Sequence, residues 1–118
     1  VTDKPGILLC VQVADCIPLI IFDKTGKAAA VHCGWKPIVA DIIEKTLSFM
    51  SQEFGTKAEN IYAVMGPSAG SCCYEIGSEL AGLLSPDAVV EKDGHLFGDL
   101  KKEVVKRLKM LNIPENKI

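Results

Sequence analysis

Apolar and polar positions change rhythm several times along the chain. Ile7–Val13 and Ile17–Phe22 are short, nearly continuous apolar runs separated by Ala14, Asp15 and Cys16. The polar stretch DKTGK, Asp23–Lys27, precedes a third run, Ala28–His32. Runs of this length bounded by turn residues predict β-strands, and apolar residues at successive positions predict a sheet covered on both faces. After Pro37 the period becomes helical. Ile38, Ile42, Thr46 and Phe49/Met50 recur at helix spacing, and Val39, Ile43, Leu47 and Phe54 widen the stripe. With Pro37 suited to a first turn and Gly55 to a stop, the pattern predicts a helix packed on the sheet.

NIYAVMGP, Asn60–Pro67, reads as another strand stopped by Gly-Pro. SAGSCCYEIG then supplies a loop of small residues leading to a short helical stretch over about Gly77–Leu84, and Val89–Val90 with KDGH predicts a small edge element. Leu100, Val104, Leu108 and Leu111 mark an amphipathic helix begun by Asp99 as N-cap and closed at Asn112, with Pro114 beyond. No internal repeat or low-complexity segment is present. The order of elements predicts an α+β (mixed α/β) domain, a layered mixed β-sheet covered by helices.

Composition narrows the picture. A chain of 118 residues, 48% hydrophobic and 24% charged, suits one core and a single domain over residues 1–118. A net charge of −2 leaves no basic surplus for a phosphate backbone, so a nucleic-acid partner is not expected. The longest apolar runs fall well short of the roughly 20 residues that span a bilayer. Five cysteines, an odd number placed in strand-like segments, fit reduced thiols and a cytoplasmic location better than a disulfide framework. The opening VTDKPG reads as the lead-in to a strand already inside a domain, as expected of a fragment.

Chemistry enters at Cys16 and His32. If their strands pair through DKTGK, counting outward from the turn places the two residues near each other across the ladder. A thiolate is both a nucleophile and a soft metal ligand, and a neutral imidazole is its base or a second ligand. The plain alternative is that both are core residues, since free cysteine is commonly buried and a Cys and a His without a C-x-x-C or H-E-x-x-H partner are a weak zinc signal.

VADCIPLIIFD, then AAAVHCGW, then MGPSAGSCCYEIG resembles three motifs of one family in their proper order. These are the multicopper polyphenol oxidoreductase (laccase-like) proteins, also described as purine nucleoside phosphorylase/adenosine deaminase or YfiH-like proteins. The family pattern reads T-A-D-C-x-P, A-x-x-H-A-G-W-R-G and G-P-x-I-G-x-C-C-Y-E-V-G. The resemblance implies a YfiH-like fold, similar to that of a cytotoxic necrotising factor. It also implies a zinc enzyme that phosphorolyses adenosine, inosine and methylthioadenosine and deaminates adenosine, with Cys16 and His32 as catalytic metal ligands. Zinc is preferred to copper because one thiolate and imidazoles suit it, and no histidine cluster for a multicopper centre is present.

The chain also departs from the family. The third ligand, in a Q-x-H-G motif upstream of Val1, has no counterpart, and the C-terminal cysteine-, serine- and arginine-rich motif is absent. A missing segment or a second chain is therefore expected to supply the ligand. His95, in KDGH, reads as a solvated loop residue. GWKP replaces GWRG, exchanging a bidentate guanidinium for a point charge. Trp35 is a candidate to stack on a purine and Lys36 to meet phosphate, though a packing residue and a solvated lysine are the plain readings. Gly66, Gly70 and Ser71 are candidates for an anion-binding backbone nest, against an ordinary tight turn. Tyr74 is a candidate pocket wall. Cys72 and Cys73 are expected to stay reduced, because a bridge between neighbours is strained. Two other functions stay open: a metal-free Cys–His hydrolase or deamidase, and a truncated domain with a structural or partner-binding role.

Overall fold

A computed structural model describes all residues, Val1–Ile118. Strand β1, Ile17–Asp23, turns through Asp23–Lys27 into β2, Ala28–Cys33. Helices α1, Trp35–Val39, and α2, Ile42–Phe54, follow, then β3, Ile61–Met65. β4, Glu75–Ile76, α3, Ser78–Ala81, β5, Val89–Lys92, β6, His95–Gly98, and α4, Leu100–Met110, complete the chain. Two antiparallel sheets result, one ordered β2-β1-β3 and the other β4-β6-β5.

Alternation along β1 decides what lies beneath the helices. Ile17, Leu19 and Ile21 point to one face, with Val31 and Cys33 of β2 and Ile61 and Ala63 of β3. They pack with Ile38, Ile43 and Met50 of the helical stretch and Val104 and Leu108 of α4 in one core. The opposite face is open: Ile20, Phe22 and Val64 are 38%, 40% and 54% exposed. Phe22 stacks on Tyr62 there, ring centroids 5.4 Å apart. The expectation of a sheet covered on both sides is thus met on one side only, because every helix of the chain that meets the main sheet contributes to the single core.

Two further expectations change. Ile7–Val13 is not a strand: it forms no backbone–backbone hydrogen bond, since no partner strand lies beside it, and Leu8 is exposed. The predicted single helix is broken at Asp41, which takes a left-handed conformation (φ 60°) between α1 and α2. Arg107 of α4 holds that break, its Nη1 donating to Asp41 Oδ1 at 3.1 Å and Glu44 Oε1 at 3.2 Å while its Nε donates to Glu103 Oε1 at 2.8 Å. Gly55 does end α2, in the left-handed region at φ 66°. Asp99 caps α4 by accepting from the Lys102 N–H at 3.0 Å. Val89–Val90 belongs to a complete β5–β6 hairpin turning at Asp93–Gly94, both at positive φ. His95 is consequently the first residue of a strand rather than a loop residue, exposed and hydrogen-bonded through Nδ1 to Glu75 Oε1 at 2.7 Å.

Candidate functional site

Register places the two chemical groups. Ile17 pairs with Cys33 and Pro18 with His32, so Cys16 lies one step before β1 and diagonally across from His32 on the same face. That face is the open one: His32 is exposed and Cys16 half-buried, whereas the adjoining Cys33 is fully buried. Burial, then the charges of Glu44 and Cys16, push the Cys33 thiol up to about 12, which makes it an inert core group.

Gly34 is what lets the pair converge. A Cβ on Gly34 would lie 3.0 Å from Cys16 Sγ and 3.6 Å from His32 Nε2. Both donor atoms therefore surround one point that any other residue would fill. Two soft or borderline donors at a hollow fit part of a zinc ligand set, and no group of three His, Cys, Asp or Glu side chains gathers there. Gly34 went unnoticed in the sequence, where only its position after His32-Cys33 could have marked it.

The loop after β3 closes one side of this site. The Ala69 N–H donates to Asp15 O at 2.9 Å, and the Gly70 carbonyl accepts from the Cys73 and Tyr74 N–H groups at 3.1 and 2.9 Å. Tyr74 is thereby brought toward Cys16; its phenol is held above its ordinary value, first by burial and then by the charge of Cys16. The N–H groups of Gly70, Ser71 and Cys72 meet no backbone acceptor. Gly66 has a different place. Its N–H donates to Pro18 O at 3.0 Å, and a Cβ there would come within 2.6 Å of Pro18 Cγ. Gly66→Ala is therefore expected to spread β1 from β3, destabilising the fold by about 1–3 kcal/mol in urea unfolding.

Trp35 starts α1 and packs, partly buried, against the core, with Lys36 Nζ 5.4 Å from its ring centroid. The indole keeps part of its surface accessible, and Lys36 is exposed. The largest concavity, about 710 Å³, lies on the outer side of α4 between Asp87, Asp99 and Lys106 and contains none of these residues.

The whole chain, residues 1–118, matches the model of the multi-copper polyphenol oxidoreductase laccase family. The chain belongs to this family. It is 39% identical over 119 aligned residues to a purine nucleoside phosphorylase of Clostridium acetobutylicum, covering 96% of this chain and 50% of that protein. It is 43% identical over 81 residues to one of Bacteroides thetaiotaomicron, covering 68% of this chain and 30% of the other. The chain thus spans half or less of the length of these relatives. The fold matches Bacillus licheniformis hypothetical protein YfiH with a TM-score of 0.83 at 26% identity, over 90% of this chain and 43% of that one. The same mixed α/β fold is found in YlmD of Geobacillus stearothermophilus, with a TM-score of 0.82, 23% identity, and 90% and 43% coverage. No helix is long and apolar enough to cross a membrane.

Proposed function

We propose that this family member acts on purine nucleosides as a zinc-dependent phosphorylase, with Cys16 and His32 as two of three metal ligands. The observation that carries the reading is the convergence of Cys16 Sγ and His32 Nε2 on the hollow at Gly34. The names of the Clostridium and Bacteroides relatives support the substrate class, purine nucleoside and phosphate. One thiolate with imidazole favours zinc over the copper of the family description.

The third ligand comes, in this reading, from polypeptide beyond the single 1–118 domain, either a further segment or another chain. Support lies in the open sheet face that carries both ligands and in relatives about twice as long. Bound zinc would supply a Lewis acid and lower the pKa of water. The chain's own groups bind and orient. Lys36 and the N–H groups of Gly70 and Ser71 offer positive charge and donors to phosphate; Trp35 and Tyr74 offer aromatic surface to the purine. Lysine in place of the family's arginine makes the phosphate contact a point charge, which weakens its grip without removing it. Adenosine deamination is a second expected outlet of the same site, and five reduced cysteines favour a cytoplasmic setting.

The test is metal content and turnover in the same sample. Near-stoichiometric zinc, with phosphate-dependent release of hypoxanthine from inosine or adenine from adenosine that stops on chelation and returns with zinc, is the expected result. Chelator-insensitive turnover, with Cys16 selectively alkylated, would establish the metal-free Cys–His hydrolase instead. Neither zinc nor turnover in the intact protein would leave a structural or partner-binding domain.

A further inference from the structure

Of the five cysteines, two make a sulfur–sulfur hydrogen-bond contact. Cys72 and Cys73 are both exposed in the Ser71–Cys73 turn, with their sulfurs 3.6 Å apart and the Cys72 thiol donating to Cys73. In a strand, adjacent side chains point to opposite faces; the turn here swings both to one side. Cys10 is exposed without a sulfur partner, Cys33 is sealed in the core, and Cys16 faces His32.

We propose that Cys72 and Cys73 form a redox-active vicinal dithiol, in which a hydroperoxide oxidises Cys73 first and Cys72 resolves it to a Cys72–Cys73 disulfide. The geometry sets the roles: Cys73 accepts the hydrogen bond that Cys72 donates, a contact that favours its thiolate, while its own thiol donates to the Gly70 carbonyl at 3.7 Å, a bond given up on ionisation.

The chemistry balances in two steps. The Cys73 thiolate attacks one peroxide oxygen and the O–O bond breaks. Sulfur is oxidised by two electrons to sulfenic acid, and the other oxygen leaves with a proton as water or an alcohol. The Cys72 sulfur then attacks Cys73, the S–S bond forms and the S–O bond breaks, and the hydroxide leaves as water with the Cys72 proton. A ring closed between neighbouring residues is strained and is therefore readily reopened by a dithiol. Tyr74 follows Cys73 directly, and the Ala69 N–H to Asp15 bond ties the loop beside Cys16, so closing the ring reshapes one wall of the candidate site.

The experiment needs neither metal nor nucleoside, so it stands or falls apart from the proposed function. The full chain, reduced and then exposed to a slight excess of hydrogen peroxide, is expected to lose about 2 Da, mapped to the peptide containing Cys72 and Cys73 and reversed by dithiothreitol. Cys72→Ser is expected to trap a Cys73 sulfenic acid that takes up dimedone. Cys73→Ser is expected to slow peroxide consumption by about tenfold, to the pace of an ordinary thiol. A bridge mapped to Cys10 or Cys16, dimedone capture at Cys72 as fast in Cys73→Ser as at Cys73 in Cys72→Ser, or equal oxidation of all exposed cysteines would overturn the proposal.

Discussion

Cys16→Ala is expected to lower zinc affinity by more than about 100-fold, exceeding the 10- to 100-fold typically lost with an outer-shell partner of a metal ligand. Removing a half-buried sulfur at the start of β1 costs little packing, so the fold should survive. Gly34→Ala sharpens the test, because it alters no donor. Its methyl group would sit 3.0 Å from Cys16 Sγ and 3.6 Å from His32 Nε2, occupying the point on which they converge. Gly34 has no positive φ, so alanine adds no backbone strain. Zinc affinity should therefore drop by about 10-fold or more while circular dichroism and the urea midpoint stay near the parent's. Titration with a chromophoric zinc competitor reads both variants. Unchanged affinity in both would remove Cys16 and the Gly34 hollow from the metal site.

The second large effect concerns stability. Asp23 closes the β1–β2 turn and is nearly buried, 5% exposed. Its carboxylate accepts from the Thr25 N–H and hydroxyl, each at 2.7 Å, the Lys27 N–H at 3.1 Å and the Thr56 hydroxyl at 3.1 Å. Burial by itself would raise its pKa; the hydrogen bonds from Thr25, Lys27 and Thr56 outweigh that, and the carboxyl titrates below its usual 3.8. Asp23→Ala leaves those donors facing a partly dry site and should cost about 2–4 kcal/mol in urea unfolding, with Asp23→Asn retaining part of the difference. The sign with pH follows from the lowered pKa. The ionised group stabilises the fold above the unfolded carboxylate's pKa, and that contribution disappears as pH falls through the lower folded value. The gap between parent and Asp23→Ala should therefore narrow in acid. A gap that widened there would contradict the assigned hydrogen bonds.

Local residue choices account for the elements that formed as expected. Asp99 needed only its own turn to cap α4, and Gly55 only its freedom at positive φ to stop α2. The DKTGK turn likewise placed Cys16 and His32 on one face, because antiparallel register is counted outward from the turn. Family motifs added what spacing could not, since Cys and His alone do not distinguish a ligand pair from core residues. Trp35 is partly buried against the core with Lys36 Nζ 5.4 Å from its ring centroid, a contact set that its neighbours in sequence do not specify.

Where partners are remote in sequence, local pattern was insufficient. Ile7–Val13 has the composition of a strand, yet strand formation depends on a hydrogen-bonding neighbour, and none lies beside it. The break at Asp41 is held by Arg107, 66 residues away, and the hollow at Gly34 by the sulfur of Cys16, just before the facing strand. The sequence by itself determined most strand and helix periods, the caps, the family and the nearness of Cys16 to His32 across the ladder. Only the tertiary structure decided that this pair lies on the uncovered face of the sheet and that the helix bends at Asp41, because burial and long-range hydrogen bonds arise from elements that meet only after folding.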